Sequence, residues 1–132
     1  MSRDIVFVFA MPIILILIGV VLYVAFPNTH TIPPDELYTF AQAKMDDLHT
    51  THTWSHDSSN MTWYERAANY NTKGYLGEVL YMGSLCDVRI AFEMWEQSPT
   101  HKEVLDHSYQ KGVLLIEKRD DICYIVFNVE DY

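Results

Sequence analysis

Residues 5 to 26 form an unbroken apolar run, IVFVFAMPIILILIGVVLYVAF, without a single charged side chain. A helix needs about 20 such residues to cross the hydrocarbon core of a bilayer. The run is longer than the ~7–15-residue core of a secretory signal, and no small-x-small cleavage site follows it cleanly. Pro12 and Gly19 are both tolerated in membrane helices. The run therefore predicts one transmembrane helix within residues 1–26, kept as a single-pass signal-anchor, with a cleaved signal peptide as the alternative. Arg3 lies before the run, and the next basic residue after it is Lys44. The positive-inside rule then places the N-terminus in the cytoplasm and the C-terminal domain outside, on the extracellular side.

Residues 27–34, PNTHTIPP, read as a short stiff linker of prolines and small polar residues. Residues 35–132 suffice for one domain. The net charge is −9, with acid spread along the chain and no basic run. Spread acid is a solvated surface, and the lack of a basic stripe argues against a nucleic-acid partner. Cys86 and Cys123 match no metal-ligand spacing. They pair in an oxidising compartment or stand as two small core residues in the cytosol.

From Asp35 the pattern is helical. Leu37, Phe40, Ala41, Lys44 and Leu48 recur at intervals of three and four, and the helix reaches about His49 or Thr51. The following polar stretch carries His49, His52 and His56; the last two have a spacing that suits a metal pair only on a continuing helix. Thr62 and Glu65 have capping-box spacing and open a second helix. In Tyr75–Met82 apolar residues bracket one carboxylate, Glu78. It is either an outward strand residue or a functional acid, because an unpaired buried carboxylate is costly. Ser84 and Asp87 mark another helix start, with Val88, Ala91, Phe92 and Trp95 as its core face; Glu93 and Glu96 fall on its solvent flank.

That helix breaks at Ser98-Pro99, since a residue preceding proline is pushed out of the α region. Thr100 and Glu103 then suit a capping box, with His101 at the first residue of the new helix. There the positive end of the helix dipole disfavours an imidazolium. Residues 112–117 and 122–129 are apolar and β-branched around Arg119-Asp120-Asp121, which predicts an antiparallel hairpin covered on both faces. The order helix, helix, strand, helix, short helix, strand, strand gives an α+β fold, a three-layer α-β-α sandwich around a small antiparallel sheet.

Three pieces in order resemble the CAP superfamily, the SCP-like extracellular domain in its bacterial form. They are Trp54-Ser55-His56-Asp57, then Gly77-Glu78, then Trp95-x-x-Ser98-Pro99-x-His101-Lys102-x-x-Leu105. Between the first two, Tyr64 to Tyr70 looks like the family's Arg-x-x-x-x-Gly-Tyr segment. The resemblance covers residues 35 to 129 and implies an extracytoplasmic α-β-α sandwich with a histidine- and glutamate-lined cleft. Motif matching places His56, Glu78 and His101 in that cleft, with His56 and His101 as ligands of a divalent metal such as zinc. It also implies binding of a small-molecule, lipid or envelope-protein ligand more than a common catalysed reaction.

The departures are specific. Val79 replaces the asparagine expected after Gly-Glu. Asn69 and Thr100 replace glycines. The family's opening Asn-x-x-Arg helix is absent, and Ser98 stands where many members have a second glutamate. The expectation is a membrane-anchored, CAP/SCP-like binding module at the cell envelope, bound to the membrane through residues 5–26. The alternative is a metal-dependent hydrolase in which the two imidazoles hold the ion and Glu78 activates its water.

Overall fold

A computed structural model describes residues 6–7, 21–22, 35–70 and 74–131 of the chain. Four helices flank a sheet whose body is three antiparallel strands. Two short extended pairs come first, β1 (Val6–Phe7) and β2 (Val21–Leu22). Helix α1 then spans Glu36–Thr51 and α2 spans Trp63–Tyr70. They are followed by β3 (Leu76–Gly83), α3 (Val88–Glu96), α4 (Pro99–Asp106), β4 (Lys111–Arg119) and β5 (Ile122–Glu130). From α1 onward this is the expected order of elements.

The two dipeptides belong to the apolar run. Val6 and Phe7 pair antiparallel with Leu115 and Leu114. Val21 and Leu22 pair parallel with Lys111 and Gly112. A helix continuous from 5 to 26 does not accommodate these pairings. The rest of the run and the 27–34 linker lie outside the described residues. Among the described residues no helix is long and apolar enough to cross a membrane.

Strand β5 is central, with β4 on one side and β3 on the other; β3 ends the sheet. Asp120 and Asp121 join β4 to β5 with φ of 50° and 65°. Two left-handed residues give a turn whose twist matches that of the flanking strands, and aspartate tolerates this region better than most side chains.

Alternate strand residues serve opposite faces. Leu76, Leu80 and Met82 of β3, Val113 and Leu115 of β4, and Tyr124 and Val126 of β5 pack with Leu37, Ala41, Met45 and Leu48 of α1. On the other face Val79, Tyr81, Leu114, Ile125, Phe127 and Val129 meet Ala91 and Trp95 of α3 and the α4 residues Val104 and Leu105. The hairpin is covered on both faces, as its lack of polar alternation predicts. Trp95 lies under α3 and gives its indole N–H to the carbonyl of Leu80 at 2.8 Å.

Helix starts follow local chemistry, with two differences from expectation. The N-cap of α1 is Asp35, whose carboxylate accepts from the Leu37 amide. Thr62 and Glu65 form the expected reciprocal capping box. At α3, however, Asp87 rather than Ser84 is the cap, accepting from Arg89 N at 2.9 Å. At α4 the helix begins with Pro99 and Ser98 is the N-cap. Proline's fixed φ suits the first helical position. The Thr100–Glu103 box does not form, and His101 is the third residue rather than the first. Lys44, on the apolar face of α1, is buried because its ammonium reaches Asp47 at 3.1 Å and the Asp57 carbonyl at 2.7 Å. Cys86 and Cys123 form a disulfide with Cα atoms 5.3 Å apart, tying the loop before α3 to β5.

Candidate functional site

Glu78 shares its strand face with Leu76, Leu80 and Met82, the row turned toward α1 and α2. It is 5% exposed, so it is not an outward-facing strand residue and its charge needs partners. They come from three elements. Arg66 of α2 donates through Nη1 to Oε1 at 3.1 Å and through Nη2 to Oε2 at 3.0 Å. Asn128, its cross-strand neighbour on β5, donates through Nδ2 to Oε2 at 3.1 Å. His56, from the loop after α1, places Nδ1 3.0 Å from Oε1. Burial alone pushes the Glu78 carboxyl up. The hydrogen bonds from His56, Arg66 and Asn128, with the charge of Arg66, outweigh it and hold the group below the usual carboxylate range.

Arg66 is itself fixed on all sides. Its guanidinium lies 4.7 Å from the Phe40 ring centroid and 5.6 Å from that of Trp63, and Nη1 also bonds to the carbonyl of His56. Phe40 meets Tyr70 at 5.0 Å between centroids and Trp63 at 6.1 Å, which seats α2 against α1. The same guanidinium thus orders the glutamate and the backbone of the histidine loop.

His101 approaches from the other face of the sheet. Its ring centroid is 6.4 Å from that of His56. Partial burial, and then the neighbouring His56, hold the His101 imidazole below its ordinary 6.5. His101 is therefore neutral near pH 7, which agrees with expectation although burial, rather than the first position of a helix, is the leading cause. The close approach of α4 depends on Gly77. A Cβ there would lie 2.8 Å from Val104 Cγ1 of α4 and 3.0 Å from the Tyr75 ring.

The structure thus brings His56, Glu78 and His101 together at the sheet edge, α2 on one side and α4 on the other. Glu93 and Glu96 are exposed on α3 and add no second acid. The histidines of the polar stretch do not converge. His49 is buried with Nδ1 3.0 Å from Glu117 Oε2. His52 is the left-handed C-cap of α1 and pairs Nδ1 with the Tyr124 hydroxyl at 3.0 Å. The helix ends before the i, i+4 spacing of His52 and His56 can align two imidazoles. Among the described residues no group of three His, Cys, Asp or Glu is placed to hold a metal. Arg66 and Asn128 are the members of the site that sequence reasoning missed. Arg66 lies inside the Tyr64–Tyr70 segment, with no local signal of its pairing to Glu78.

No protein-family model matches the chain, and no curated protein matches it. Two solved structures share its fold. An outer surface protein from Borrelia burgdorferi superposes with a TM-score of 0.62 at 23% identity, covering 74% of each chain. An extracellular protein containing a SCP domain from Bacillus anthracis str. Ames gives a TM-score of 0.57 at 19% identity. That match covers 74% of this chain and 32% of the other. The domain shares the α+β fold of these two structures over 74% of its length.

Proposed function

We propose that this chain is a CAP/SCP-like ligand-binding module working at the cell envelope, on the extracytoplasmic side of a membrane. The observation that carries the reading is the state of Glu78. Both its oxygens are engaged by Arg66, Asn128 and His56, and its pKa is lowered. A general base needs a free oxygen within reach of its proton and a pKa near the working pH. Glu78 has neither. Its role is to orient His56, and the two neighbouring imidazoles are left to contact a ligand. Orienting one imidazole without supplying an acid or base suits recognition better than turnover.

Separate observations support the extracytoplasmic compartment. A disulfide persists in oxidising environments and is rare in the cytosol, and Cys86–Cys123 is bonded. The similar structures are described as an outer surface protein and an extracellular protein. The apolar run at 5–26 is hydrophobic enough to associate the domain with a membrane where it is not paired with β4, and the ligand is a small molecule, a lipid or an envelope protein. The metal-dependent hydrolase is the weaker reading. Catalytic zinc sites use about three protein ligands and an open position; this cleft offers two imidazoles, and its carboxylate is already committed.

The test is ligand retention. The intact chain and the His56→Ala/His101→Ala double variant are purified in parallel, and co-purifying compounds are identified by mass spectrometry. A compound held by the parent and lost from the variant supports binding at the cleft. Hydrolytic turnover abolished by Glu78→Gln would replace the binding reading with the hydrolase.

A further inference from the structure

The hydrogen-bond pattern around Glu78 determines which nitrogen of His56 carries a proton. Arg66 can only donate, and it contacts both carboxylate oxygens. The Asn128 amide nitrogen is identified by two acceptors, Glu78 Oε2 at 3.1 Å and the Gly77 carbonyl at 3.3 Å. A carboxylate held this way is an acceptor toward every neighbour. His56 Nδ1, 3.0 Å from Oε1, is therefore the donor of that bond. In a neutral imidazole one nitrogen carries the hydrogen and the other a lone pair. The lone pair is then on Nε2, in a side chain that is 40% exposed while its carboxylate partner is fully enclosed.

We propose that Arg66 is the positioning residue of this cleft. It clamps Glu78 through both oxygens, holds the His56 loop by its carbonyl, and so presents His56 as the Nδ1–H tautomer with a bare Nε2. Taking the cleft as the binding site, as above, the group recognised there is a hydrogen-bond donor such as a hydroxyl. A ligand offering only acceptors, a carboxylate or phosphate oxygen for example, meets a lone pair and is rejected. His101 stands beside it, its ring centroid 6.4 Å from that of His56.

The experiment is a long-range proton–nitrogen correlation spectrum of the intact chain with 15N-labelled histidine, recorded without ligand in mildly alkaline buffer. His56 in the parent shows a protonated Nδ1 and an unprotonated Nε2. In Glu78→Gln the amide oxygen takes the Oε2 position, where Arg66 Nη2 and Asn128 Nδ2 both donate, and the amide N–H₂ faces His56 in place of Oε1. The ring must then accept at Nδ1, and the two nitrogen shifts exchange. In Arg66→Met the carboxylate loses its fixed pose and the shifts move to the average of two tautomers. Arg66→Lys keeps a donor at the carboxylate and restores the parent pattern in large part. His107, bonded to Asp131 at 2.9 Å, keeps its signals throughout and reports an intact fold. A parent spectrum with Nε2 protonated overturns the proposal. So does an Arg66→Met spectrum identical to the parent's. Because no ligand is present, either result stands apart from the outcome of the ligand-retention test.

Discussion

Replacing Arg66 by methionine removes one guanidinium and leaves Glu78 in its buried position. The ion pair has side chains only 6% and 0% exposed, so solvent cannot replace what is lost. Breaking a buried pair by deleting one partner costs about 3–5 kcal/mol, because an uncompensated charge remains inside. Met fills much of the space between Phe40 and Trp63, so packing loss adds little and the electrostatic cost is isolated. The assay is urea unfolding with the disulfide intact. With a slope of about 1–3 kcal/mol per molar for small proteins, the midpoint falls by about 1 M or more at constant slope. The double variant Arg66→Met/Glu78→Gln removes both charges and recovers part of that loss. The pH dependence carries a definite sign. Glu78 has a folded pKa below its ordinary 4.5. Its contribution is fully present above 4.5 and is lost as pH falls through the folded value. The deficit of Arg66→Met is therefore largest near neutrality and shrinks in acid. A destabilisation below about 1 kcal/mol at neutral pH, or one that grows in acid, would refute the argument that this pair is buried and coupled.

Four further outcomes are expected. The disulfide closes a loop with a sequence separation of 37, so the Cys86→Ala/Cys123→Ala variant should lose about 4 kcal/mol by the loop-entropy relation, read by thermal or urea unfolding under non-reducing conditions. Trp95→Phe leaves the packed ring but strands the Leu80 carbonyl that its indole N–H satisfies; the loss should be about 1–3 kcal/mol in the same assay. Gly77→Ala forces Val104 and α4 outward, costing about 1–3 kcal/mol, and should weaken ligand retention without altering any group that touches the ligand; unchanged retention counts against the α4 contact. His101 should titrate below 6.5 by NMR. Since its folded pKa is lowered, its contribution to stability falls as pH drops from 6.5 through the folded value, and ligand retention that depends on its neutral form falls over the same window.

The hairpin and helices were readable in the residues because each carries its own local signal. The apolar periodicity of α1, the cap at Thr62 and the Ser98-Pro99 break are decided within a few residues, and the structure reproduces them. Three members of the site were also reachable, since a histidine after a tryptophan and an acid among apolar neighbours are conspicuous. Arg66 and Asn128 were not. Each acts through a partner far along the chain, with Arg66 12 residues and Asn128 50 residues from Glu78. Nothing local to either predicts the pairing. The cap at α4 went differently because two valid local signals competed there. Thr100 had capping-box spacing, but Pro99 was already suited to the first helical turn, and the helix started earlier. The extended pairings at Val6–Phe7 and Val21–Leu22 depart from a continuous helix for a related reason. A β-branched apolar run also suits a strand beside an open sheet edge, and β4 provides one.

The position of the site on the sheet explains its division of labour. Glu78 sits on β3, the last strand of the sheet, and is held by hydrogen bonds from α2 and β5. A carboxylate on a strand, with its lone pairs committed, is the most rigid part of the arrangement. The imidazoles belong to less constrained elements: His56 to the loop between α1 and α2, and His101 to the first turn of the eight-residue α4. The His56 loop and α4 reach the edge from opposite faces, and Gly77 keeps the strand narrow where α4 crosses it. The separation of the two rings therefore responds to the packing of α4, whereas the orientation of His56 responds to Arg66. The orientation of one histidine is thus set by an ion pair and the placement of the other by a helix contact, while the carboxylate between them has both oxygens engaged.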